Sequence, residues 1–202
     1  TITADLQGNT PPDFNASLVR IDKKKAKIGN ESQASAIVGD LNAAQFLVDE
    51  IKTRTIKRNP LPPFITSKLQ QDAINRLRFS AKKTMIVAQQ LYEGIEIGTG
   101  GPEGLITYMR TDSTRIAPES AQEAAAYITE NIGKEYALTK PRFFKTKNNA
   151  QDAHEAIRPT SVFHSPASIK QFLSPDQFKL YDLIWKRFVA SQMAQALIDQ
   201  KT

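Results

Sequence analysis

The chain has no cysteine and only two histidines, His154 and His164. Disulfides and cysteine-ligated zinc are thereby excluded, and so is a histidine-rich metal cluster. No stretch approaches the roughly 18 consecutive apolar residues of a membrane helix, and the sequence does not open on a charged segment followed by an apolar one. It therefore reads as a soluble protein of the cytosol. Acidic residues are in deficit: 27 Lys and Arg against 21 Asp and Glu leave a formal charge of +6 and a pI near 9.5. Such a balance favours a polyanionic partner, nucleic acid first among them, although charge alone does not single one out. Within 202 residues, 40% hydrophobic and 24% charged, there is enough apolar material for a real core and for one or two domains.

The pattern along the chain predicts an α+β protein. Thr1–Leu6 and Ala16–Ile21 read as strands, separated by the turn signals Gly8-Asn9 and Pro11-Pro12. The basic run Lys23–Lys27 reads as a solvated strand end, with a DNA contact as the alternative. Glu31–Ala44 reads as a helix interrupted at Gly39-Asp40, and Gln45–Lys57 as one long strand rich in β-branched residues. Pro60-Leu-Pro-Pro63 is a stiff break. Beyond it, Leu69, Ala73 and Leu77 mark a helix capped by Thr66 or Ser67, and Lys82–Glu93 a second helix ended by Gly94, with Leu91 or Tyr92 facing inward. Gly98–Gly104 is a glycine-rich loop. Pro118–Ile132 is helical, Phe143–Asn149 a basic surface loop, and Asp152–Arg158 a helical turn that places His154 and Arg158 on one face. A last helix opens at Ser174 or Pro175 with Phe178, Tyr181, Trp185 and Phe188 as a core-facing stripe, and Ala196–Thr202 alternates like a strand.

Chemistry concentrates in Gly104-Leu-Ile-Thr-Tyr-Met-Arg-Thr-Asp-Ser-Thr114. On this apolar, β-prone run Tyr108 and Arg110 are two residues apart, so an extended backbone projects both from one side. A phenol, with a reference pKa of about 10, is a weak nucleophile until a base or a cation assists it. A guanidinium can supply that charge and clamp a phosphate in two places. Ordinary packing of a strand Tyr beside an Arg is the competing explanation.

That run, followed by Gln151-Asp-Ala-His-Glu-Ala-Ile-Arg-Pro159, resembles the active-site region of type IA DNA topoisomerases, in their bacterial topoisomerase I branch. Pro62–Gln71, Lys83–Glu93 and Leu183–Met193 extend the resemblance over nearly the whole chain. It implies a partial β-rich arch at residues 1–63, an inserted mainly helical domain with the active-site tyrosine at 64–174, and a return to the arch at 175–202. It further implies that Tyr108 is the nucleophile that becomes joined to a 5′-phosphate of single-stranded DNA, with Arg110 holding the scissile phosphate. His154 matches a histidine of the DNA-binding or charge-relay part, and Arg158 is a further backbone contact.

Asp112 and the hydroxyls of Thr111, Ser113 and Thr114 are expected to fix the loop by local hydrogen bonds. The family's Mg2+-binding acids, with an Asp-x-Asp signature, and its assisting lysine have no counterpart here. The resemblance thus implies a central piece of an ATP-independent, nucleoid-associated enzyme of the cytoplasm that relaxes negatively supercoiled DNA. Its partners would be DNA and the rest of the same polypeptide, and the piece alone would be inactive in relaxation. A single-stranded DNA-binding module in which Tyr108 is structural is the alternative. Tyrosine recombinases and type IB topoisomerases also set Arg, His and Tyr on a phosphate, but their tyrosine follows a His-x-x-Arg motif, whereas Tyr108 precedes a His-x-x-x-Arg.

Overall fold

The computed structural model describes residues 1–8, 11–98, 100–144 and 154–202, as an α+β protein in two compact units. Asn9 of the first expected turn, Thr99 of the glycine-rich loop, and residues 145–153, which hold most of the basic loop and the start of the His154 motif, lie outside the described residues.

The smaller unit comprises Thr1–Lys52 and Lys201–Thr202. Strand β1 (Thr3–Leu6) runs antiparallel to β2 (Phe14–Ser17), and β3 (Arg20–Ile21) to β4 (Lys24–Lys25). Asp22 and Lys23 link the latter pair with φ of 50° and 64°, the left-handed pair of a tight hairpin turn whose twist matches its strands. Helix α1 (Glu31–Ala43) begins where the Asn30 side chain accepts from the Gln33 N–H, and it runs unbroken through Gly39-Asp40. The cap and the other good formers outweigh the roughly 1 kcal/mol that a mid-helix glycine forfeits. No described residue of this unit is buried.

The larger unit spans Thr53–Gln200. Of the long strand expected at 45–57 only β5 (Thr53–Arg58) forms, paired with β8 (Ala196–Lys201). A strand persists only as far as its partner, and β8 is six residues long. Helices α2 (Thr66–Leu77), α3 (Ala81–Glu93), α4 (Pro118–Asn131) and α6 (Pro175–Ser191) surround one core. Leu69 and Ala73 of α2, Val87, Ala88 and Leu91 of α3, and Ala121, Ala124 and Ile128 of α4 are buried in it. The short helix α5 (Pro166–Ile169) packs on α6, and between α3 and α4 lies a small hairpin of β6 (Ile95–Glu96) and β7 (Pro102–Glu103).

The division into units differs from 1–63, 64–174 and 175–202. Both β5 and α6 fall with the helical unit, and for α6 the reason is burial. Leu180, Tyr181, Ile184, Trp185 and Phe188 of α6 lie in the same core as α2 and α3, so the aromatic stripe is structural, with Phe178 half-buried at its edge. Ser174 and Gln177 close a reciprocal capping box at the start of α6. The Trp185 indole N–H donates to the Val162 carbonyl at 2.9 Å and the Tyr181 hydroxyl to that of His164 at 2.7 Å. On the α2 side, Arg187 meets Asp72 at 2.5 Å and lies over the Phe64 ring, 4.4 Å from its centre.

Burial, reinforced by Glu103 and Glu123, pushes the Tyr181 phenol far above its ordinary range. Because the folded state keeps the proton more tightly than the unfolded one, this group's contribution is complete below about pH 10 and is lost as pH rises from there toward the folded value. Wild type is expected to exceed Tyr181→Phe by about 1 kcal/mol at neutral pH. In denaturant unfolding at a series of pH values that margin should shrink above about pH 10; a margin that stays constant contradicts the assignment.

Candidate active site

Ile106 bridges Pro159 and Ile157 bridges Phe64, so residues 154–160 lie extended beside the segment that carries Tyr108. Neither the expected strand at Tyr108 nor, among the described residues, the helical turn at Asp152–Arg158 is present. Side chains and loop backbone satisfy the polar groups instead of a ladder. The Thr107 N–H donates to the Arg158 carbonyl at 2.9 Å, and the Thr107 hydroxyl donates to the Ala156 carbonyl at 2.7 Å while accepting the Arg158 N–H at 3.0 Å. Further along, the Ala156 N–H donates to the Arg115 carbonyl at 2.7 Å.

Thr66 holds the next residues. Its N–H donates to the Thr111 carbonyl at 2.9 Å, and its hydroxyl donates to the Met109 carbonyl at 2.8 Å and accepts the Thr111 N–H at 2.8 Å. This explains why α2 has Ile65 at its N-cap position and no side-chain cap. The hydroxyl expected to cap the helix is committed to the Tyr108 segment. Downstream, Thr111 Oγ1 accepts the Ser113 N–H at 3.0 Å and Ser113 Oγ the Arg115 N–H at 3.1 Å, the local loop bonds expected of those hydroxyls.

With the backbone held in this way, exposure alternates without a strand: Tyr108, Arg110 and Asp112 are exposed, Met109, Thr111 and Ser113 buried. The two residues expected to face one way are both exposed, and Arg110 but not Tyr108 lines the neighbouring cleft. The Tyr108 ring, 40% exposed, is met edge-on by Tyr92 at 5.5 Å between ring centres and at a tilt by His154 at 5.9 Å. Arg110, Asp112 and His154 line an open cleft of about 630 Å³ with Thr66, Ser67 and Gln70. Arg110 forms no ion pair among the described residues.

Arg158 differs. Its side chain is 11% exposed; Nη2 and Nε lie 2.7 and 2.9 Å from Glu155 Oε2, and Nη1 donates to the Pro159 carbonyl at 2.9 Å. It supports the segment beneath Tyr108, and no partner other than these is within its hydrogen-bond reach among the described residues. The second histidine is away from the cleft, with Nδ1 3.4 Å from Glu103 Oε1. Among the described residues no three His, Asp or Glu side chains come together as a metal site.

Sequence reasoning missed Tyr92 and the roles of Thr66, Thr107 and Gln70. Leu91 is the inward residue and Tyr92 the outward one. The available signal was Gly104: a Cβ there would stand 2.7 Å from the Tyr92 carbonyl, so only glycine lets the end of α3 approach the Tyr108 segment, where the Leu105 N–H donates to the Leu91 carbonyl at 2.7 Å.

A family model described as DNA topoisomerase matches residues 1–202, and the chain belongs to that family. Its fold and sequence are of the bacterial, type IA kind: it is similar to full-length topoisomerase I of Thermotoga maritima, with 42% identity and a TM-score of 0.71 over 89% of this chain. The match covers 28% of that protein, so the chain spans under a third of its relative's length. Among the described residues no helix is long and apolar enough to cross a membrane.

Replacing Thr66 by Val leaves the Thr111 N–H without its acceptor at a largely buried position, and is expected to lower stability by about 1–3 kcal/mol. Thr66→Ser, which keeps the oxygen, should stay within about 1 kcal/mol of wild type. Urea unfolding of the two variants checks this, and a Val variant as stable as the Ser variant refutes it.

Proposed function

We propose that this chain carries the DNA-cleaving part of a type IA topoisomerase. Tyr108 Oη attacks a phosphodiester of single-stranded DNA, a bond from phosphorus to the tyrosine oxygen forms as the bond to the 3′-oxygen breaks, and the strand leaves with a 3′-hydroxyl. After another strand has passed, that hydroxyl attacks the phosphotyrosine and restores the original link. One ester replaces another in each step, so ATP is not required. The observation that carries this reading is the joint exposure of Tyr108 and Arg110 on a segment whose alternate residues are buried and hydrogen-bonded, with His154 beside the tyrosine ring.

The transition state gathers negative charge on the non-bridging phosphate oxygens, and a cation already held beside the nucleophile stabilises it without reorganising. Arg110 has that role here. His154 stands where it can bind the strand or relay charge from the phenol. Arg158, engaged by Glu155, reaches a DNA phosphate only if that carboxylate lets go, so its contribution is to hold the backbone of Thr107. Magnesium, when bound through acids elsewhere in the polypeptide, supplies charge neutralisation for the phosphates. Relaxation of negatively supercoiled DNA in the cytoplasm, at the nucleoid, follows as the activity of the longer protein.

The packing of Tyr108 between Tyr92 and His154 favours one competing function, a single-stranded DNA-binding module in which the tyrosine is structural. Relaxation of supercoiled plasmid in magnesium, by a polypeptide that joins this sequence to the family's metal-binding part, separates the two. Cleavage by Tyr108 predicts that Tyr108→Phe abolishes relaxation and that Arg110→Ala slows it by about 10²–10³-fold; a Phe variant that relaxes normally leaves only the binding module. The 202-residue chain by itself is expected to relax nothing, and relaxation by it that disappears in Tyr108→Phe contradicts that expectation.

A further inference from the structure

The cleft holding Arg110 and His154 does not end at the start of α2. Ser67 and Gln70 line both it and a second hollow of about 390 Å³, which continues along the outer face of α2 past Lys68, Gln71, Ile74 and Asn75. From Ser67 to Asn75 the helix advances about 12 Å at 1.5 Å per residue, room for roughly three nucleotides at the 3.4 Å spacing of a stacked strand.

The chemistry of this face is uneven around the helix. The acid of α2, Asp72, is turned away and tied to Arg187 and Arg76. No carboxylate lines the second hollow, and Asp112 is the one in the first. The cation of the second hollow is Lys68, whose ammonium donates to the Gln71 side-chain Oε1 at 3.0 Å. Among the described residues Ser67, Gln70 and Asn75 make no side-chain hydrogen bond, while Ile74 is 44% exposed. Neutral amides that carry both a donor and an acceptor match the edges of unpaired bases, a lysine matches a phosphate, and an exposed aliphatic side chain matches the face of a base.

We propose that the outer face of α2 is a nucleotide-binding groove that holds the single strand on one side of the bond Tyr108 attacks. Gln70 and Asn75 contact base edges, Ile74 packs on a base, and Lys68 neutralises one phosphate. This rests on the cleavage reading above and adds to it a seat for the flanking strand. A single strand is the occupant, as in the cleavage reading on which this rests, because its unpaired bases can turn their edges and faces to the helix.

Fluorescence anisotropy of the chain with a dye-labelled single-stranded oligonucleotide, over a series of salt concentrations, tests the proposal. The double substitution Gln70→Ala with Asn75→Ala, the first half-buried and the second exposed and both compatible with a helix, should weaken binding about tenfold and leave the slope of log affinity against log salt unchanged. Lys68→Ala should reduce that slope by about 0.7. Lys186→Ala, removing another exposed cation, on α6, should leave affinity as it is. If Arg110→Ala weakens binding while the Gln70 and Asn75 pair does not, the groove is refuted and the cleavage site stands. If neither changes binding, or the chain binds no strand, the groove is refuted, and the cleavage reading is judged separately by the relaxation test with Tyr108→Phe. Equal loss of affinity for duplex DNA in the double variant also overturns the base-reading role.

Discussion

Two threonine hydroxyls hold the backbone on either side of Tyr108, and the geometry of the site depends on them. Thr107 ties its own segment to Ala156 and Arg158, and Thr66 ties the start of α2 to Met109 and Thr111. Between these ties Met109 and Thr111 are buried, and Tyr108 and Arg110 are left exposed. An irregular segment thereby acquires the alternating exposure of a strand.

The same ties place the remaining groups. Extended backbone at 154–158 sets His154 against the tyrosine ring and turns Arg158 inward onto Glu155. Gly104 allows the end of α3 to approach, which brings Tyr92 to the other side of the ring. Beneath this layer, the shared core of α2, α3 and α6 keeps the start of α2 in register with the segment it grips. Removing charge from the interior helps: the buried aromatics of α6 direct their polar atoms to the carbonyls of Val162 and His164. Arg110, by contrast, lines an open cleft.

Much of this was legible in the residues. Helices α2, α3, α4 and α6 follow from apolar spacing and from their proline and glycine boundaries, to within a residue or two. The core role of Tyr181, Trp185 and Phe188 follows from their common face. What failed was whatever depends on a partner distant in sequence. The Gln45–Lys57 stretch is β-prone throughout, but its strand is only as long as β8. Thr66 has every property of a cap, yet a better-placed acceptor and donor forty-odd residues away claim its hydroxyl. Spacing of four between His154 and Arg158 suits a helical turn, but Thr107 and Phe64 bond that backbone in extended form. Tyr92 was ambiguous because Leu91 beside it serves the core equally well.

The identity of the nucleophile is the claim on which the functional account turns, and Tyr92, 5.5 Å from the Tyr108 ring, is its natural internal rival. The direct test is to incubate a single-stranded oligonucleotide with a polypeptide joining this sequence to the family's metal-binding part, trap the covalent product with denaturant, digest it and locate the nucleotide by mass spectrometry. A 5′-phosphate on Tyr108, with a released fragment ending in a 3′-hydroxyl, is the predicted result. A 3′-phosphate link, or a nucleotide on Tyr92 with Tyr108 unmodified, contradicts it.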